Sequence, residues 1–174
     1  VGAAIGVGMV GGMVNFYKEA ADFNYMIKYV GTLSDETGKS FDKLKQKAIE
    51  VGKSSTFSPD EVASGMRWMA QSGMKALDII ESIDSAAKLA QATMTDIGGR
   101  GGSADWITNI AMGFDIPLVE KNIYRLSNVL AKGANKSNTT LQEFGEAMKY
   151  AQSTAKRLHM TLEETAAGVM IMAN

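Results

Sequence analysis

This sequence offers imidazole chemistry at a single position. His159 is the only histidine and cysteine is absent. A histidine-built zinc cage, a pair of imidazoles relaying a proton, a thiolate nucleophile and a disulfide framework are therefore all out of reach of these residues. His159 stands beside Arg157 and reads as a surface or helix-end residue. The Asp and Glu residues fall at helix starts and on outward faces, and no two stand apart as a general acid and base. Gly99-Arg100-Gly101-Gly102 has the glycine content of a phosphate loop, but it lacks the Lys-Ser/Thr spacing and follows no strand, so it reads as a flexible connector. Trp68, Trp106 and Tyr124 sit in a helical pattern without a basic stripe and read as core or interface anchors. No enzyme, cofactor or metal site is expected.

Charge removes another class. Eighteen Lys plus Arg against nineteen Asp plus Glu give a net charge of -1, which offers no general attraction for a phosphate backbone, and sequence-specific nucleic-acid binding is not expected. Hydrophobic residues at 45% and charged residues at 21% of 174 are the composition of one globular domain with a core. The twelve methionines suit repacking surfaces, although most are expected in the core.

One stretch departs from that average. Val1 to Tyr17 carries no charge and holds Gly2, Gly6, Gly8, Gly11 and Gly12. Gly2 with Gly6, and Gly8 with Gly12, have the G-x-x-x-G spacing that lets helices approach closely. Two readings stand: a glycine face packed against copies of itself in an assembly, or a segment that enters a membrane. The run is slightly shorter than the roughly 20 residues a spanning helix needs. It has neither the basic start nor the cleavage site of a signal peptide. Val1 in place of an initiator methionine, and an apolar run still in progress at Val169 to Met172, lead to the expectation of a piece of a longer chain.

The elements that position these residues are helical throughout. Phe16, Ala20, Phe23, Ile27 and Val30 share a face of a first helix expected to end near Gly31, and Phe41, Leu44, Ala48 and Val51 share a face of a second closed by Gly52. Ser58-Pro59-Asp60-Glu61 is a capping box with proline at the first helical position, followed by Val62, Met66 and Met69 and stopped by Gly73. Leu77, Ile80, Ile83, Ala87 and Ala90 predict a helix running toward Gly98, and Ile107, Ile110, Ala111 and Phe114 predict the next. Pro117 opens a helix with the face Val119, Ile123, Leu126 and Leu130, followed by a polar loop from Gly133. Thr140 with Glu143 caps a stripe from Leu141 through Phe144 and Met148 to Leu158, and Thr161 with Glu164 caps the last helix. Period-two alternation is missing, so the fold class is all-α: about eight helices in a bundle-like domain with a long Gly/Ala-rich N-terminal helix. Residues 1–31 form that apolar helix and its amphipathic continuation, and residues 32–174 form the helical domain, with the glycine loop at 98–102. The three cap-led segments resemble one another, through shared ancestry or shared helix grammar.

The ordered succession of these segments resembles a known family. Thr56-Phe57-Ser58-Pro59-Asp60-Glu61-Val62-Ala63, then Met66 and Ala70-Gln71-Ser72-Gly73, looks like the core motif of bacteriophage tail tape measure proteins. Phe23, Met26 and Val30 upstream, and Ser85 to Ala90, Phe114-Asp115-Ile116 and Met160 to Ala167 downstream, fall in the family's order. The resemblance covers about Ala20 to Asn174. Pro59 with Asp60 departs from a position where a small residue is common but keeps the cap geometry, whereas the Gly98 to Gly102 loop has no matched length.

The resemblance implies a structural virion protein in the tail tube lumen or tail tip. Such a protein sets tail length during assembly, leaves ahead of the DNA and helps genome ejection through the host envelope. Its expected partners are three or six copies of itself, tail tube, distal tail and hub proteins, and the host membrane on ejection. A straight helix of this length would reach only about 260 Å, and glycine and proline breaks forbid even that, so the ruler is expected elsewhere in the parent protein. The rival reading is a membrane-active pore-forming or export-linked effector unrelated to phage tails, supported mainly by the N-terminal glycines. A peptidoglycan hydrolase, found as an insert in some tape measure proteins, has no usable catalytic constellation here.

Overall fold

The computed structural model describes residues 21–34 and 39–174, and within them the chain is all-α, with eight helices and no strand. Helix α1 covers residues 21–33, followed by α2 (Lys39–Ser54), α3 (Pro59–Gln71), α4 (Ala76–Thr93), α5 (Ser103–Gly113), α6 (Glu120–Lys136), α7 (Leu141–Arg157) and α8 (Leu162–Met172). The expected Gly/Ala-rich N-terminal helix, with Gly2, Gly6, Gly8 and Gly12, lies outside the described residues. Among α2 to α8, the most extensive packing is α4 on α6, while α7 lies against α5, α6 and α8.

Three helix pairs, α3/α4, α5/α6 and α7/α8, are joined by the same turn. Gly73, Asp115 and His159 adopt left-handed φ values of 86°, 54° and 56°. The next residue in each case (Met74, Ile116, Met160) donates its N–H to the carbonyl five residues back, at 3.2, 2.8 and 2.9 Å. This is the Schellman closure, which satisfies carbonyls that the helix end would otherwise leave open. Only Gly73 adopts it without a Cβ penalty. Helix α4 also stops at a left-handed residue, Met94, whose successor Thr95 bonds to the Ala90 carbonyl, so this helix ends well short of Gly98.

The core is continuous. Leu44, Val62, Met66, Met69, Ile83, Ile110, Ile123, Leu126, Leu130, Phe144 and Met148 are fully buried, while Phe41, Ile80 and Phe114 pack half-buried against them. Three residues assigned to inward stripes point outward instead. Leu77 lies in the first turn of α4, Val119 is the N-cap of α6, and Leu158 is the C-cap of α7; all three are exposed. Val119 and Leu158 are caps, where the 3.6-residue register does not extend, whereas Leu77 lies inside α4 but off its buried stripe, which runs through Ala76, Ile79, Ile83, Ala86 and Ala90.

Several glycines read as helix stops turn out to be contact seats inside or beside helices. α1 continues past Gly31 to residue 33, and a Cβ at Gly31 would run into the Phe41 ring. α2 continues past Gly52, which lies against Pro59. α6 continues past Gly133 to Lys136, because Gly133 lies beneath the Phe144 ring of α7. Gly145, the next residue on α7, receives the Trp106 ring of α5, and a Cβ there would stand 2.5 Å from Trp106 Cε3.

Polar ties join the helices where the core thins. Ser103 Oγ donates to the Ala86 carbonyl at 2.7 Å, pinning the start of α5 to α4, and Asn135 Nδ2 donates to the Ala92 carbonyl at 3.1 Å. Lys47 of α2 pairs with Asp84 of α4 at 2.5 Å, and Lys156 of α7 pairs with Asp115. Arg125 of α6 grips Glu163 of α8 through both Nε and Nη2, at 2.6 and 2.5 Å. Burial pulls the Lys47 ammonium down, but hydrogen bonds to Asp84 and Glu50 outweigh it and leave the group raised.

A methyl group at the ring seats tests this packing. Gly133→Ala and Gly145→Ala should each destabilise the chain by about 1–3 kcal/mol, because ring and backbone must part. Gly168→Ala in α8, where nothing stands within 4 Å, should instead stabilise by about 0.4–1 kcal/mol. Urea unfolding of the three variants measures this; equal behaviour at all three sites would contradict ring-on-glycine packing.

Candidate interaction surface

The residues expected to carry family character are helix starters, and each works locally. The Ser58 N–H donates to Glu61 Oε2 at 2.7 Å, and the Glu61 N–H donates to Ser58 Oγ at 3.3 Å. Thr140 and Glu143 repeat this exchange at 2.8 and 3.2 Å, as do Thr161 and Glu164. Each box satisfies two amide groups that a helix start leaves open. The boxes begin α3, α7 and α8, and their side chains bond within their own box. They fix where helices begin and do not converge on a site.

Their electrostatics follow from that geometry. The backbone N–H of Thr140, and then its hydroxyl, hold the Glu143 carboxyl below the usual glutamate range; Thr161 does the same for Glu164. Glu163 is lowered by its hydrogen bond from Arg125. Helix α5 lacks a side chain at its N-cap, Gly102, and Asp105 compensates by accepting from the Gly101 N–H at 2.9 Å.

The glycine loop is a hydrogen-bonded turn. Gly102 N–H donates to the Gly99 carbonyl, Ser103 N–H to Asp96 and Ala104 N–H to Ile97, while Gly98 abuts Ser64. The cleft beside it, about 290 Å³, is lined by Glu61, Ser64, Asp96, Ile97, Gly98 and Gly99. Two carboxylates line it and repel a phosphate; Gly98 and Gly102 serve close packing, and Gly99 and Gly101 the left-handed turns at φ 84° and 82°.

What remains is surface. His159 is exposed in the α7/α8 turn. Of the expected aromatic anchors, Trp106 is buried, Trp68 is half-buried and Tyr124 is exposed. Methionine is divided: Met66, Met69, Met74 and Met148 are in the core, whereas Met94, Met112, Met160 and Met172 face out. Tyr150, Leu158 and Ile171 are exposed as well, and exposed apolar residues of this kind are ordinary on a folded domain. Exposed residues such as Met94, on a left-handed turn, carry no periodic signal by which sequence reasoning finds them. Among the described residues no cluster of three metal-binding side chains occurs, and no helix is long and apolar enough to cross a membrane.

The family model of phage-related minor tail proteins covers residues 45–174. The chain belongs to that family. This minor tail segment is 26% identical over 157 residues to the tape measure protein of Pneumococcus phage Dp-1, covering 90% of this chain and 13% of that protein. It is also 24% identical over 170 residues to the probable tape measure protein of Clostridium phage phiCD119, covering 95% of this chain and 18% of that one. The minor tail segment thus spans less than a fifth of the length of either relative. No solved structure matches it.

The caps of this minor tail segment are testable by pH. Thr140→Ala and Thr161→Ala should each cost about 0.5–2 kcal/mol at pH 7. Because the partner carboxyls are lowered by folding, their contribution is fully present above the ordinary glutamate range and is lost as pH falls through the lowered folded values. The gap between each variant and the parent in urea unfolding should therefore shrink between neutral and acid pH. A gap independent of pH would show that the threonine hydroxyls do not act through the two glutamates, whose backbone hydrogen bonds the variants keep.

Proposed function

We propose that this chain is a folded helical segment of a tape measure protein, resident in the tail tube lumen or at the tail tip. As part of that protein it serves tail-length setting during assembly and is released ahead of the DNA to assist genome passage through the host envelope. The supporting observation is the family match, joined to two relatives with tape measure names over nine-tenths or more of the chain. Membership in a tail family also favours this reading over an effector unrelated to phage.

The role is structural and not enzymatic. The longest of helices α2 to α8, α4, has 18 residues, about 27 Å at 1.5 Å per residue. A bundle of such helices does not measure a tail, so the ruler belongs to other parts of the protein and this unit acts as a compact element. The outward methionines and tyrosines suit contacts with tail tube, distal tail and hub proteins and with other copies, three or six around the tail axis.

The length role has a direct test in the phage that encodes the chain. In-frame insertion of helical residues into the long remainder of the protein should lengthen the tail by about 1.5 Å per residue. Tails of unchanged length in electron micrographs would overturn it.

The uncharged N-terminal run is proposed to enter the host membrane after release. Each Asp at a helix centre in lipid costs about 2.5–3.5 kcal/mol, so Gly6→Asp with Gly8→Asp should abolish dye release from liposomes and lower genome delivery. If both persist at parental levels, the glycines serve packing between copies and the membrane role is wrong.

A further inference from the structure

Between α1 and α3 lies a cleft of about 270 Å³ lined by Tyr25, Met26, Tyr29 and Arg67. Its walls are aromatic and open to solvent: Tyr25 is 73% and Tyr29 37% exposed. Its base holds a cation. Arg67 is half-buried, its Nε is shut off from solvent, and that atom makes no hydrogen bond within the chain. Buried donors are normally satisfied, and a charged one is the costliest to leave without a partner. The nearby charges do not supply it. Asp22 lies one turn before Tyr25 on α1 and is exposed, Lys28 on the same helix is exposed, and Lys45 of α2 is engaged with Asn24 Oδ1 at 2.9 Å.

We propose that this cleft receives an acidic side chain next to an apolar one, presented by a neighbouring protein chain. The molecule shows how a guanidinium of this kind is used: Arg125 takes Glu163 with Nε and Nη2 together, a planar two-point grip that fits a carboxylate. Arg67 carries the same planar guanidinium; its Nε is closed to an incoming group, so a carboxylate meets it through the terminal Nη groups that line the cleft. The tyrosine rings and Met26 add apolar wall and phenolic hydroxyls at the rim, which suit an apolar neighbour of the carboxylate and would add nothing for a bare anion. Tyrosine and arginine together around a sheltered spot are also the residue types on which protein contacts concentrate their binding energy.

The test uses the chain of 174 residues and two blocked dipeptides, acetyl-Phe-Glu-amide and acetyl-Phe-Gln-amide, followed by NMR titration, with inorganic phosphate as a third probe. The glutamate peptide should shift the resonances of Tyr25, Tyr29 and Arg67 saturably and bind about tenfold more tightly than its neutral counterpart. Arg67→Gln, with helical content verified by circular dichroism, should make the two peptides equal. Tyr25→Ala with Tyr29→Ala, both on the exposed face of α1, should weaken both peptides. Equal affinity of the parent chain for the two peptides would overturn the proposal, as would phosphate binding as tightly as the glutamate peptide. Failure of that peptide to saturate by about 20 mM would overturn it as well.

Discussion

Two neighbouring residues on α7 hold three helices together. Phe144 lays its ring over Gly133 of α6, and Gly145 offers bare backbone to the Trp106 ring of α5. Because adjacent residues on a helix point about 100° apart, one short stretch can engage two partners at once, and the missing Cβ atoms let rings lie where side chains would otherwise hold the helices apart. α6 also packs extensively on α4, and its Leu126 and Leu130 belong to the same continuous core. The start of α5 is fastened to α4 by the Ser103 hydroxyl. Helices α4 to α7 thus form a closed circuit of contacts, and α3 and α8 pack onto it.

That circuit explains why the polar groups are where they are. The interior is filled by aliphatic, Met and aromatic side chains, so ions are confined to helix ends and margins, where Lys47 with Asp84 and Arg125 with Glu163 cross between elements. The Arg125–Glu163 pair, about half exposed on both sides, adds little to stability, while Lys47 is largely covered; both pairs help fix how outer helices sit on the block. Arg67 differs from them because it is partly buried with no acid of the described residues in its grip.

For a segment of a phage tail protein this architecture has a mechanical meaning. Short capped helices closed by left-handed turns make a unit whose shape is set internally. Met94, Tyr150, Ile171 and Met172 are exposed on it.

The sequence by itself determined the helical class, the capped starts at Ser58, Thr140 and Thr161, and the inward stripes from Leu44 to Met148, because these depend on residues three or four positions apart and on local hydrogen bonds. It also carried the family, through the order of those local signals. Tertiary structure decided the meaning of the glycines. Gly73 and Gly133 look alike in sequence, yet one ends a helix with φ at 86° and the other lies within a helix beneath a ring contributed from another element. It likewise decided that Asp115 and His159 close turns in glycine's usual place, and that Tyr25 and Tyr29 meet Arg67. These outcomes depend on partners some 10 to 40 residues away or on the packing that over-determines a strained turn, and local periodicity contains no term for either.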